Sequence, residues 1–129
     1  MAKNLVDGDS VKIYETGNNI YLEILETESN SNGDYIKYED GTLICRGFAG
    51  PLTTPSGNGT QETVSFPYPF IDTNYQVNIE IIDGQAYWGG INTNIASRST
   101  TAFTLATWNN SNGNNSSQYF TYIAIGRWK

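Results

Sequence analysis

Apolar positions along the chain recur at every second residue, and no segment longer than one turn carries a 3.6-residue period. The pattern is clearest in "YQVNIEII". There Tyr75, Val77, Ile79 and Ile81 point to one side, and Gln76, Asn78 and Glu80 to the other. "VKIYE" and "IYLEILE" flank "TGNN", and "DYIKYE" and "TLICRGF" flank Asp40-Gly41, so each pair predicts a hairpin. "ETVSF" predicts a strand that stops at Pro67-Tyr68-Pro69, because proline cannot donate to a central ladder. "AYWGGINTNI" predicts a strand bulged at Gly89-Gly90, and "AFTLATW" one that offers Phe103 and Leu105 to a core. "NNSNGNNSSQ" reads as a polar loop, since Asn and Gly accept left-handed turn geometry at little cost. With the terminal segment this makes about nine short strands and no helix, an all-β antiparallel sandwich or barrel.

The terminal segment, "YFTYIAIGRWK", departs from simple alternation. Read as a strand over 119–127, it directs Tyr119, Ile123 and Ile125 one way and Phe120, Tyr122 and Trp128 the other. A half-buried antiparallel strand alternates apolar with polar. Two bulky faces predict two apolar contacts, of which one domain core supplies only one.

Composition narrows the function. The 129 residues suffice for one domain with a real core. Charged residues make up 16% and aromatics 13%, so the polarity comes mainly from Asn, Ser, Thr and Gly. A net charge of −6 argues against a nucleic-acid groove or an anionic membrane surface. No apolar run is long enough to span a bilayer, so no membrane insertion is expected, and Met1-Ala2-Lys3 does not open a signal peptide. The acids concentrate before residue 50, and "AGPLTTPSGNGTQ" reads as a linker. The expected division is a β-hairpin-rich segment at 1–44 and a sandwich at 45–129, with the Asp40-Gly41 hairpin open to either part.

The chain has no His and a single cysteine, Cys45. That removes the commonest general base, every Ser-His-Asp arrangement, a zinc site and an intrachain disulfide. Cys45, inside "TLICRGF", reads as a buried thiol. "DGDS" at 7–10 starts like a calcium loop but lacks the later ligands. In the second part only Glu62, Asp72, Glu80 and Asp83 could serve as paired glycosidase carboxylates, and no pair presents itself. No metal, no cofactor and no catalysis are expected. A polar-aromatic surface remains, with Tyr87, Trp88 and Trp108 beside Gly, Asn and Thr. Aromatic rings stack on the C–H faces of sugars, while amides and hydroxyls bond the sugar hydroxyls. Trp88 and Trp108 read either as core or as such platforms; Trp108, directly before the polar loop, reads as exposed.

"DYIKYEDGTLICRG", "VSFPYPFIDTNYQVNI", "TTAFTLATW" and "YIAIGRW", in that order, resemble the C-terminal domain of phage tail-fibre proteins. The same order is similar to H-type lectins, compact trimeric sandwiches that bind N-acetylgalactosamine-type sugars. The likeness spans about residues 33–129. It implies a homotrimer at a tail-fibre or baseplate tip of the virion, with a host-surface glycan as ligand. It also implies attachment to other tail or baseplate proteins through the N-terminal segment. Trp108 and Asn109 match the lectins' sugar-contacting aromatic residue and its polar neighbour, with Asn109 where the lectins often carry His; Asn110 joins them. Arg98, in an expected turn, has no secure counterpart. In trimers of this kind one sheet face packs the sandwich and the other meets neighbouring subunits, which would cover both faces of the terminal strand. A virion decoration without ligand, a polysaccharide-cleaving enzyme and a cellular lectin are the competing classes.

Overall fold

The computed structural model describes residues 23–84, 91–110 and 113–129. These form eight strands: β1 (Ile24–Asn30), β2 (Gly33–Tyr38), β3 (Thr42–Thr54), β4 (Gly59–Ser65), β5 (Gln76–Gly84), β6 (Ile91–Arg98), β7 (Ala102–Asn109) and β8 (Ser116–Arg127). All pairings are antiparallel, in a five-stranded sheet of order β1-β2-β3-β8-β5 and a three-stranded sheet of order β4-β7-β6. The expected all-β sandwich is what the chain forms. The "TGNN" hairpin, "DGDS" and the Gly89-Gly90 bulge lie outside the described residues.

The Asp40-Gly41 turn joins β2 to β3 as expected. Gly41 takes φ +95°, a conformation that favours glycine, and Asp40 Oδ1 accepts the Thr42 amide at 2.8 Å. The segment read as a linker is mostly strand. β3 continues through it to Thr54, absorbing Pro51 where the register shifts between Ala49 and Leu52. Only residues 55–58 are left to cross to the other sheet. The boundary expected at 44/45 falls inside β3, and β1 and β2 extend the sheet that β3 and β8 form.

An aromatic core fills the space between the sheets. Phe103 of β7 meets Tyr122 of β8 edge-on at 5.2 Å, and Phe66 touches Phe70, Tyr75, Phe103 and Tyr122 at 4.9–6.0 Å. Edge-to-face pairs of this kind contribute beyond the area they bury. Phe66 and Phe70 come from the 66–75 segment, which Phe66 N–H and Phe70 N–H tie to the carbonyls of Thr101 and Thr100. Cys45 is fully buried, and burial pushes its thiol up to about 12. Toward the other end the interior turns polar: Thr54, Thr107, Asn109, Ser116 and Gln118 are all buried there.

The terminal strand is thereby resolved. Phe120, Tyr122 and Ala124 face the core, and Tyr119, Ile123 and Ile125 face outward. Ile123 and Ile125 are 40% and 45% exposed. They belong to a wider surface of mixed character, on which Arg46 and Asn78 flank Ile123 and Glu80 stands beside Thr121. Cross-strand register aligns Ile36 of β2, Ile44 of β3 and Ile125 of β8 in one row, and Phe48, 76% exposed, stands on the same face of β3. Trp128 sits at the strand end, where its indole N–H donates to the Tyr38 carbonyl at 2.9 Å and its ring lies against the Lys37 ammonium. In β5, Tyr75, Val77 and Ile79 pack toward the core, whereas Ile81 is partly exposed beside the bulge before Asp83.

A candidate carbohydrate-binding face

The outer face of the three-stranded sheet has the opposite character. On β7 the odd positions Phe103, Leu105, Thr107 and Asn109 are buried, so Ala102, Thr104, Ala106 and Trp108 point outward. The register places Gly59 and Asn92 beside Trp108, Gln61 and Asn94 beside Ala106, and Thr63 and Ser97 beside Thr104. No charged residue occupies these positions.

Trp108 is 48% exposed and borders an open groove of about 770 Å³ with Asn58, Gln61, Asn94 and Ala106. Its indole is held from one side. A Cβ added at Gly59 would stand 2.9 Å from Trp108 Cε3 and 3.4 Å from Cζ3, so the ring lies across bare backbone. Only glycine lets the ring settle so close to β4. Below it, Asn58 Oδ1 accepts the Gly59 amide at 2.9 Å, fixing the loop that enters the strand.

Asn109 does not share this surface. Successive strand residues face opposite ways, and Asn109 turns inward, 1% exposed. Its Nδ2 donates to the carbonyls of Thr54 at 3.0 Å and Asn114 at 2.8 Å, and its backbone pairs with Asn58 and Gly57. It clasps the end of β3 to the loops before β4 and β8. Asn110 is exposed at the start of its loop. Tyr87 and Trp88 lie outside the described residues. Arg98 ends β6 rather than sitting in a turn, and its guanidinium donates to the Tyr75 carbonyl. The side chains that do accompany Trp108, namely Asn58, Gln61 and Asn94, were missed because their adjacency is cross-strand. The alternation of "GTQETVS" against "AFTLATW" would have revealed Gln61 once those segments were known to pair.

Of the carboxylates the sequence offered for a glycosidase, Glu62, Asp72 and Glu80 stand apart; elsewhere Glu26 and Glu28 both accept from the Tyr35 hydroxyl. Glu62 faces inward from β4 with Oε2 buried, Asp72 Oδ1 accepts the Asn74 amide in a turn, and Glu80 stands on the outer face of the five-stranded sheet. Among the described residues no three His, Cys, Asp or Glu side chains come together as metal ligands would.

A second concavity, of about 560 Å³, opens beside the β1–β2 turn under Phe48. Arg46 Nε and Asp34 Oδ2 pair there at 3.2 Å, and Ser29 donates to Asp34 Oδ1 at 2.5 Å. The Ser29 hydroxyl and the Arg46 guanidinium hold the Asp34 carboxyl below its ordinary value.

Comparison with solved structures finds the same fold in pyocin tail fibres. The C-terminal part of a Pseudomonas aeruginosa R1 pyocin fibre, residues 323–701, superposes with a TM-score of 0.57 at 14% identity, over 76% of this chain and 27% of that one. An N-truncated R1-type pyocin tail fibre superposes with a TM-score of 0.58 at 15% identity, over 78% of this chain and 84% of that one. The chain thus spans about a quarter of the longer fibre. No curated protein sequence matches it. Residues 37–127 match the family model of the C-terminal domain of gp53-like tail fiber proteins. By that match, over most of its length, the chain belongs to the gp53-like tail-fibre C-terminal family, and its place is a tail fibre of the virion.

Proposed function

We propose that the chain is a receptor-binding tip: a non-catalytic homotrimeric module that holds a host cell-surface glycan on the outer face of the three-stranded sheet. The observation that carries this reading is Trp108, half exposed on an otherwise polar, uncharged face and ringed by the amides of Asn58, Gln61 and Asn94. An indole platform offers a sugar's C–H face a dispersion surface, and carboxamides both donate to and accept from its hydroxyls. Asn110 adds an amide at the rim. The resemblance to trimeric tail fibres supplies the number three, and the exposed Phe48, Ile123 and Ile125 on the outer face of the five-stranded sheet support a contact between copies. Attachment to the other tail proteins runs through residues 1–44. The separation of Glu62, Asp72 and Glu80 favours adhesion over cleavage.

The test is glycan binding by Trp108→Ala, with thermal melting alongside. Stacking on an aromatic contributes roughly 1–3 kcal/mol, by analogy with bases on aromatic side chains. Affinity per site should therefore fall about five- to 150-fold, with melting little changed because the ring is half in solvent. A large drop in melting temperature with unchanged binding per folded trimer would assign Trp108 to packing and leave a fibre protein without this ligand.

A further inference from the structure

We infer, on the basis of that adhesin reading, that the ligand is an uncharged oligosaccharide of several units lying lengthwise along β7, and not a single terminal sugar. The outer face is a ladder of three rows: Gly59–Trp108, Gln61–Ala106–Asn94 and Thr63–Thr104–Ser97. Rows two residues apart are roughly 7 Å apart along a strand, so the ladder runs roughly 14 Å and is about two strand spacings wide, roughly 10 Å. Over that length the track suits a short chain of about three pyranose rings, whose own repeat need not coincide with the rows.

The rows differ in chemistry. The first supplies an aromatic platform. The second has a floor of one methyl group, Ala106, flanked by two exposed carboxamides, Gln61 and Asn94. A ring can rest on that floor while the amides reach its equatorial hydroxyl or acetamido groups from both sides. The third row supplies hydroxyls, with Ser97 Oγ donating to Thr104 Oγ1 at 2.9 Å and Thr63 exposed beside them.

Charge sets the ligand class. The three rows contain neither a cation to meet a carboxylate or phosphate nor an acid to meet an ammonium group. A buried sugar carboxylate would lose its hydration without a partner, which is expensive. The chain's net charge of −6 adds long-range repulsion against polyanions.

Calorimetry with soluble oligosaccharides of one to several units, one series neutral and one uronic-acid-containing, tests this at low and high salt. Free oligosaccharides avoid avidity. Affinity for the neutral series should rise with length up to about three units, the number that the roughly 14 Å ladder accommodates. It should be insensitive to salt, and the acidic series should bind weakly. The pair Gln61→Ala and Asn94→Ala should lose about two- to twelvefold for each amide, the ordinary net value of a hydrogen bond. That loss should appear with the longer oligosaccharides and not with the monosaccharide. Ala106→Glu should block the longer ligands. Binding that Trp108→Ala abolishes but that ignores length, or that favours the acidic series and weakens with salt, overturns this inference and leaves the adhesin intact. If no oligosaccharide or surface polysaccharide binds at all, both fall.

Discussion

Replacing Phe48 by Ser should weaken the trimer and spare the fold of each subunit. The ring is 76% exposed on the outer face of the five-stranded sheet, in register with Thr121 and one row from Ile123. Fully burying a phenylalanine contributes about 1.5–3 kcal/mol, so three quarters of the side chain contributes about 1–2 kcal/mol if a neighbouring copy covers it. Three subunits would lose about 3–6 kcal/mol on assembly, roughly a hundred- to ten-thousandfold in the trimerisation constant. The midpoint concentration varies as the inverse square root of that constant, so it should rise about ten- to hundredfold. Sedimentation equilibrium over a wide concentration range measures the shift, and circular dichroism checks the fold. Ile123→Ser, at 40% exposure, should act in the same direction with a smaller effect. Trp108→Ala, on the opposite sheet, should leave assembly alone. A wild-type protein that is monomeric at micromolar concentration would refute the trimer. A trimer indifferent to both substitutions would place the contact elsewhere.

Gly59→Ala should fold with a lowered melting temperature and bind glycan more weakly than wild type, because the new Cβ would stand 2.9 Å from the indole and 3.1 Å from the Thr107 carbonyl oxygen and push both aside; titration calorimetry and thermal melting decide. Tyr122→Asp should abolish folding by circular dichroism, since the ring is 4% exposed against Phe66 and Phe103 and a carboxylate there has no partner. Asp34 and Asp40 are both held below the ordinary carboxyl value of 3.8, Asp34 chiefly by the Ser29 hydroxyl and Asp40 by the Thr42 amide. Their contribution is present above that value and lost as pH falls through the lower folded values, so melting temperature should drop in acid and drop less in Asp40→Asn. On the alkaline side, burial raises the Cys45 thiol from 9.0 to about 12. The folded state then keeps a proton that the unfolded chain releases, so melting temperature should fall as pH rises above 9 and fall less in Cys45→Ala.

Legibility followed sequence distance. Strands could be located because alternation is local: "YQVNIEII" and "AFTLATW" show their inward residues without reference to any other segment. The Asp40-Gly41 turn was equally local. Pairing between sheets was not. Nothing within "AGPLTTPSGNGTQ" signals that β3 runs on beside β8, because its partners Gln118, Ser117 and Ser116 lie in a stretch that reads as loop. The site suffered from the same limit in two ways. Asn109 was joined to Trp108 through the lectin resemblance, although adjacent strand residues point to opposite faces. Gln61 and Asn94 stand on either side of the row next to Trp108, yet they come from other strands and are visible only through register.

On the proposed reading the two outer faces divide the work between them. β8 lies between β3 and β5, so its outward isoleucines form part of a surface three or more strands wide, continued by Ile44 and Ile36. Its isoleucines and Phe48 gain by exclusion from water, while Asp34, Arg46 and Glu80 in the neighbouring rows would need partners across such a contact. The β7 face gains little that way: its methyl groups are small, its amides and hydroxyls are already hydrated, and burying them against another protein would require a matched partner for each. Its one large apolar group, Trp108, rests on Gly59 at the end of the ladder and needs only a ring-sized partner. The β8 and β7 faces back onto the shared core of Phe103 and Tyr122 from opposite sides. Assembly through the first therefore leaves the second turned outward, and mutations confined to one face should change assembly or binding separately.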